Sequence, residues 1–152
     1  MTPLNAGSLA AAPEISGQAG VDPVGAEREL RLPLTQWSPR IARRFVAARL
    51  SGNARTHDIA ASASLVASEL VSNAVQHGGT CPQNIIRVRV EQTDVEVRIE
   101  VADRGGGRIA LRPASPWSES GRGLALINRL SDYWGVDEHE GERRVWCAFR
   151  LA

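Results

Sequence analysis

Two short alternating runs restrict what this chain can become. Ile86-Arg87-Val88-Arg89-Val90 and Val95-Glu96-Val97-Arg98-Ile99-Glu100-Val101 each put apolar side chains on one face and charged ones on the other, with Gln92-Thr93-Asp94 between them. Successive side chains point to opposite sides of a strand, so the pair reads as an antiparallel hairpin with one face in water and one that must be covered. Such a hairpin is not stable alone. It needs more strands beside it and a layer of helix over its apolar side.

The remaining sequence supplies both. Ser38-Pro39 predicts a helix start, the hydroxyl capping and the proline in the first helical position. Ile41, Phe45 and Ala48 follow at helical spacing, and Ser51-Gly52-Asn53 ends that helix. A longer helix is predicted from about His57 to His77, with Ile59, Ala63, Val66, Leu70 and Ala74 on one face and Gly78-Gly79 as its stop. Leucines alternate with polar residues from Arg28 to Leu34, which predicts a strand; Pro33 lacks a ladder donor and puts it at a sheet edge. Asp103-Arg104-Gly105-Gly106-Gly107 breaks the second hairpin strand, and a loop runs on through Pro113, Pro116 and Ser120. After Gly121-Arg122-Gly123, Leu124, Ile127 and Leu130 mark a third helix to about Asp132. Tyr133 to Asp137 reads as a short strand, and Val145, Cys147, Phe149 and Leu151 alternate along a last one. The order β-α-α-β-β-α-β-β predicts an α+β fold: a two-layer sandwich with a mixed, mostly antiparallel sheet of about five strands and its helices on one face.

At 152 residues, with 43% hydrophobic and 23% charged, the chain suits one domain. Met1 to Gly25 hold five Ala, four Gly, three Pro and two Ser without periodicity, so the expectation is a disordered tail over 1–27 and one folded domain over 28–152. Lys+Arg 18 against Asp+Glu 17 leaves a charge of +1, which argues against nucleic acid or anionic lipid as the main partner. All 18 basic residues are arginine. That excludes a Walker A lysine, the strand lysine of eukaryotic-type protein kinases and a Schiff-base lysine. Cys81 and Cys147 match no metal spacing and read as reduced core thiols. With no leader and no apolar run near membrane-spanning length, the expected location is cytoplasmic.

Three segments carry chemistry. Glu69, Asn73 and His77 follow one another at i, i+4, i+8 along one side of the long helix, next to its apolar face. A carboxylate and an amide oxygen are a suitable partial shell for Mg²⁺; the plainer reading is a polar helix border. Asp103 ends a core strand before Gly105 and Gly107, where a carboxylate can accept an amine and glycine lets backbone approach a flat ring; a capped turn would look the same. Gly121-Arg122-Gly123 opens a helix, where free N–H groups and the helix dipole favour an anion; a flexible helix entry is the alternative.

In this order, the helix E-x-x-x-N-A, the strand-end D-x-G-x-G and the G-x-G-L at a helix start resemble the three nucleotide-binding boxes of the GHKL ATPase superfamily. That superfamily includes gyrase, heat-shock chaperone, mismatch-repair and histidine-kinase ATP-binding domains. The resemblance spans roughly Leu30 to Leu151, and Ser68 to Gly78 with Gly121 to Ile127 look most like the anti-sigma-factor serine/threonine kinases. It implies that ATP and Mg²⁺ are the cofactors, that Asn73 ligates the metal, and that Glu69 is the general base. It further implies that Asp103 binds the adenine amine, that Gly105 and Gly107 shape the purine pocket, and that Gly121, Arg122, Gly123 and Leu124 border the phosphates. His77 matches a position common in this subgroup. Many relatives place a Gly-Thr pair just before the last strand, whose threonine helps hold adenine; here the stretch is Glu142-Arg143-Arg144-Val145, with Arg144 at the threonine position. The implied function is phosphorylation of a serine or threonine on an anti-anti-sigma (STAS-type) protein together with capture of a sigma factor. The alternatives are an ATP- or ADP-binding interaction module without turnover and a nucleotide-free interaction protein. Homodimerisation is left open by the sequence.

Overall fold

The computed structural model describes residues 28–77, 84–104 and 119–152. The expected tail, Gly78-Gly79, Cys81, Gly105 to Gly107 and the proline-punctuated loop lie outside the described residues. Within them the order is β1 (Glu29–Pro33), α1 (Ser38–Ser51), α2 (His57–His77), β2 (Ile85–Gln92), β3 (Glu96–Asp103), α3 (Glu119–Leu130), β4 (Tyr133–His139) and β5 (Glu142–Arg150). The five strands form one sheet in the order β1-β2-β3-β5-β4, with every described pairing antiparallel. β1 takes an edge, as its proline requires.

Alternation sets the two faces. Val88 and Val90 of β2, Val97, Ile99 and Val101 of β3, and Val145, Cys147 and Phe149 of β5 enter a single core with Leu70 and Val71 of α2. On the other face opposite charges meet across the strands, as in Arg89↔Glu100 and Glu91↔Arg98. Trp146 lies there too, with the Arg98 guanidinium 4.1 Å over its ring and Gly135 beneath it, where a Cβ would come within 2.7 Å of the indole. The β4–β5 turn is the two-residue loop Glu140-Gly141 with φ of 50° and 76°, the left-handed pair that a tight hairpin needs.

The helices correct three expectations. Ser38 does not cap α1: its Oγ donates to the Pro33 carbonyl at 2.6 Å and pairs with Thr35 Oγ1, while Trp37 stands at the N-cap without a side-chain bond. The short link from β1 turns Ser38 inward, and its hydroxyl closes that link. The buried stripe of α1 is Ser38, Ala42, Val46 and Leu50, one residue round from the expected Ile41, Phe45 and Ala48; Ile41 is exposed. α2 runs from His57 to His77 as expected, but its buried surface is wider and adds Ala60, Ser64, Ala67 and Val71, because it packs against the sheet, α1 and α3. No helix among the described residues is long and apolar enough to cross a membrane.

Candidate functional site

The C-terminal half of α2 carries Glu69 and Asn73 half-buried, one turn apart, and ends on an exposed His77. Their backbone is fixed by the neighbours Leu70, Val71 and Ala74, which are buried in the core. α3 crosses this stretch at Gly123. A Cβ there would lie 3.2 Å from Glu69 Oε2 and 3.5 and 3.6 Å from the two ends of the Asn73 amide. Glycine at this position therefore allows the α3 backbone to rest on both polar groups. Ile127 and the partly buried Leu124 anchor the helix to the core.

α3 begins at Glu119, two residues before Gly121, so the glycine pair lies inside the helix and does not precede it. The first four N–H groups of a helix have no partner within it, so the backbone of Gly121 and Arg122 still belongs to the anion-attracting end.

Asp103 is the last residue of β3, and its side chain is 2% exposed. Arg143 faces it across the β3–β5 ladder, and Arg143 Nη2 donates to Asp103 Oδ2 at 3.2 Å. Burial pulls the Arg143 guanidinium below its usual range; Asp103 and Glu138 oppose that pull. Asn84, buried just ahead of β2, accepts the Arg104 N–H at 3.1 Å and fixes the chain as it leaves Asp103. Arg144 lies on the opposite side of the sheet, where its Nε donates to Glu142 at 3.0 Å. The threonine position of the resemblance therefore does not face Asp103; the neighbouring Arg143 does.

Sequence reasoning missed Arg143 and Asn84. A signal existed for Arg143: extending the inward alternation of Val145, Cys147 and Phe149 back by two residues puts it on the inner face. Asn84 had no pattern to mark it. Cys147 is a free buried thiol, pushed up to about 12 by burial.

The arrangement brings together a carboxylate, an amide and the first turns of α3; the buried Asp103 carboxylate stands separately at the end of β3. Among the described residues no three His, Cys, Asp or Glu side chains gather as a metal cage. A Glu and Asn pair leaves most coordination positions to water and phosphate oxygens, which is how Mg²⁺ is usually held.

Residues 32–149 match the profile of the histidine kinase-like ATPase domain family. Over 90 residues the chain is 33% identical to the anti-sigma F factor of Pasteuria penetrans, a match covering 53% of this chain and 60% of that protein. It thus spans less than two thirds of that relative. The RsbU and RsbW domains of Rv1364c from Mycobacterium tuberculosis superpose with a TM-score of 0.61 at 24% identity, covering 81% of this chain and 32% of that one. The histidine kinase domain of the blue-light activated histidine kinase EL346 of Erythrobacter litoralis gives 0.53 at 18%, covering 79% and 62%. At such identities the structural likeness is one of fold.

Proposed function

The chain belongs to the histidine kinase-like ATPase domain family, and from that premise we propose that it is an anti-sigma-factor-type regulator that transfers phosphate from ATP to a serine or threonine of an anti-anti-sigma (STAS-type) protein. In this reading it also captures a sigma factor, in the cytoplasm. The observation that carries the proposal is the seat of Gly123 on Glu69 and Asn73, which joins the helix E-x-x-x-N to the start of α3. The partner classes are supported by the likeness to an anti-sigma F factor.

Asn73 would hold Mg²⁺ through its amide oxygen, a ligand type that fits that ion, with the Glu69 carboxylate beside it. When bound, the ion supplies positive charge against the phosphates. The other tasks belong to the chain. Gly121 and Arg122 offer backbone N–H groups and one guanidinium to the phosphates, with Gly123 letting the helix lie close beside them, supplying without lysine the charge that phosphoryl transfer needs. Asp103 accepts the exocyclic amine of adenine, and Gly105 and Gly107 leave room for the ring. Glu69 accepts the proton of the attacking hydroxyl through a carboxylate oxygen. His77, exposed at the end of α2, takes no step.

The test uses radiolabelled ATP with candidate anti-anti-sigma proteins. Glu69→Ala should still bind Mg-ATP, because the amide ligand and the purine pocket remain. Its transfer should fall about 10²–10⁴-fold, as expected on loss of a positioned base. Equal transfer by parent and variant would remove Glu69 from that role. A parent that binds ATP and captures a sigma factor but labels no partner is an interaction module without turnover.

A further inference from the structure

The function of Arg143 is not explained by phosphoryl transfer. It stands opposite Asp103 on the neighbouring strand, and the two side chains are 4% and 2% exposed. Val101 and Val145, paired two residues along the same ladder and so facing the same way, are core residues, so the ion pair lies on the helix-covered side. An isolated charge at that depth would be costly, so each charge depends on the other for its presence. The described contact is end-on, Nη2 to Oδ2. A carboxylate has two oxygens and about four lone-pair sites, so it can accept from more than one donor at once. What the guanidinium reduces is freedom: with Oδ2 held toward β5, rotation of the carboxylate is restricted.

We propose that Arg143 is a positioning residue for purine recognition, holding Asp103 so that the carboxylate meets the exocyclic amine of adenine and rejects a 6-oxo purine. This rests on the assignment of Asp103 to the adenine amine. It also gives a role to the stretch Glu142-Arg143-Arg144, in which the expected threonine is missing. Recognition is tightened from behind the carboxylate and not by a second hydroxyl at the base.

The experiment is calorimetric titration of the full chain with Mg-ATP and Mg-ITP, which differ at the purine amine. The parent, Arg143→Met (similar length, no charge) and Arg143→Gln (a donor without charge) are compared, with circular dichroism as the folding control. The parent should favour ATP. Arg143→Met should lose about tenfold in ATP affinity, the size of one buried polar contact, and its ATP/ITP ratio should fall toward one. Arg143→Gln should fall between. The ratio decides, because a smaller folded fraction weakens both nucleotides alike. If Arg143→Met does not fold, Arg143→Gln carries the same test. A ratio unchanged from the parent overturns the proposal, and so does tighter ATP binding, which would make Arg143 a competitor for the carboxylate. A parent with no preference for ATP over ITP removes the Asp103 assignment, and this proposal falls with it.

Discussion

Gly123 acts through the side chain it lacks. A methyl group there would crowd Glu69 Oε2 at 3.2 Å and the Asn73 amide at 3.5 Å, and both are ends of side chains that can turn aside. The position is also helical, where alanine outdoes glycine by about 1 kcal/mol. Gly123→Ala should therefore separate site from fold. Denaturant unfolding should show stability unchanged or raised, while calorimetry should show Mg-dependent ATP binding weakened by about tenfold, because ligands displaced by a fraction of an ångström no longer converge. Loss of both together would mean that the glycine serves packing alone. Glu69, Asn73 and Gly123 could be read from spacing and motif order because backbone geometry fixes which residues share a helix side. Arg143 was harder to see, since an inward arginine near a strand end makes sense only once its partner on another strand is known.

Thr56 holds the two long helices together. It is fully buried, and its Oγ1 donates to the Leu50 carbonyl at 2.6 Å, joining the end of α1 to the start of α2. Thr56→Val keeps the shape and removes the donor, leaving that carbonyl to lose its bond inside the protein. A cost of about 1–3 kcal/mol is expected, read as a lower urea midpoint at unchanged slope. Nucleotide affinity of the folded protein should not change, because Glu69 is about 20 Å away along α2. The extent of α2 was legible because its helical period ran unbroken over its 21 residues. The face of α1 was not. Its core contact with α2 is made by small and medium side chains such as Ala42 and Val46, while Ile41 and Phe45 stay outside or at the border. A reading weighted by side-chain size chooses the wrong stripe. The β4–β5 turn was missed for a similar reason: Glu140 takes a left-handed φ of 50° without the asparagine or glycine that would mark it.

At the scale of the molecule, the sheet separates its work between faces: the covered side holds the core and the Asp103–Arg143 pair, and the open side is tied by charge. Glu142 is the hub of that second system. Arg144 reaches it at 3.0 Å along β5, and Arg87 reaches it at 2.5 Å from β2, across the small Ala102 of β3. Two strands, β2 and β5, are thereby linked across β3 through one carboxylate. Burial pushes the Glu142 carboxyl up, but hydrogen bonds and charge from Arg144 and Arg87 more than offset this and hold it below the usual glutamate range. A carboxyl lowered in the folded state adds stability that is present above its unfolded pKa and is lost as pH falls through its folded value. Glu142→Gln keeps the size and removes the charge. The variant should be less stable than the parent at neutral pH, and the gap should close as unfolding is followed from neutral to about pH 3, below the ordinary glutamate range. Chemical denaturation at each pH measures it. A gap that stays constant down the series would mean that Glu142 supports the sheet by packing and not as the shared anion of two arginines.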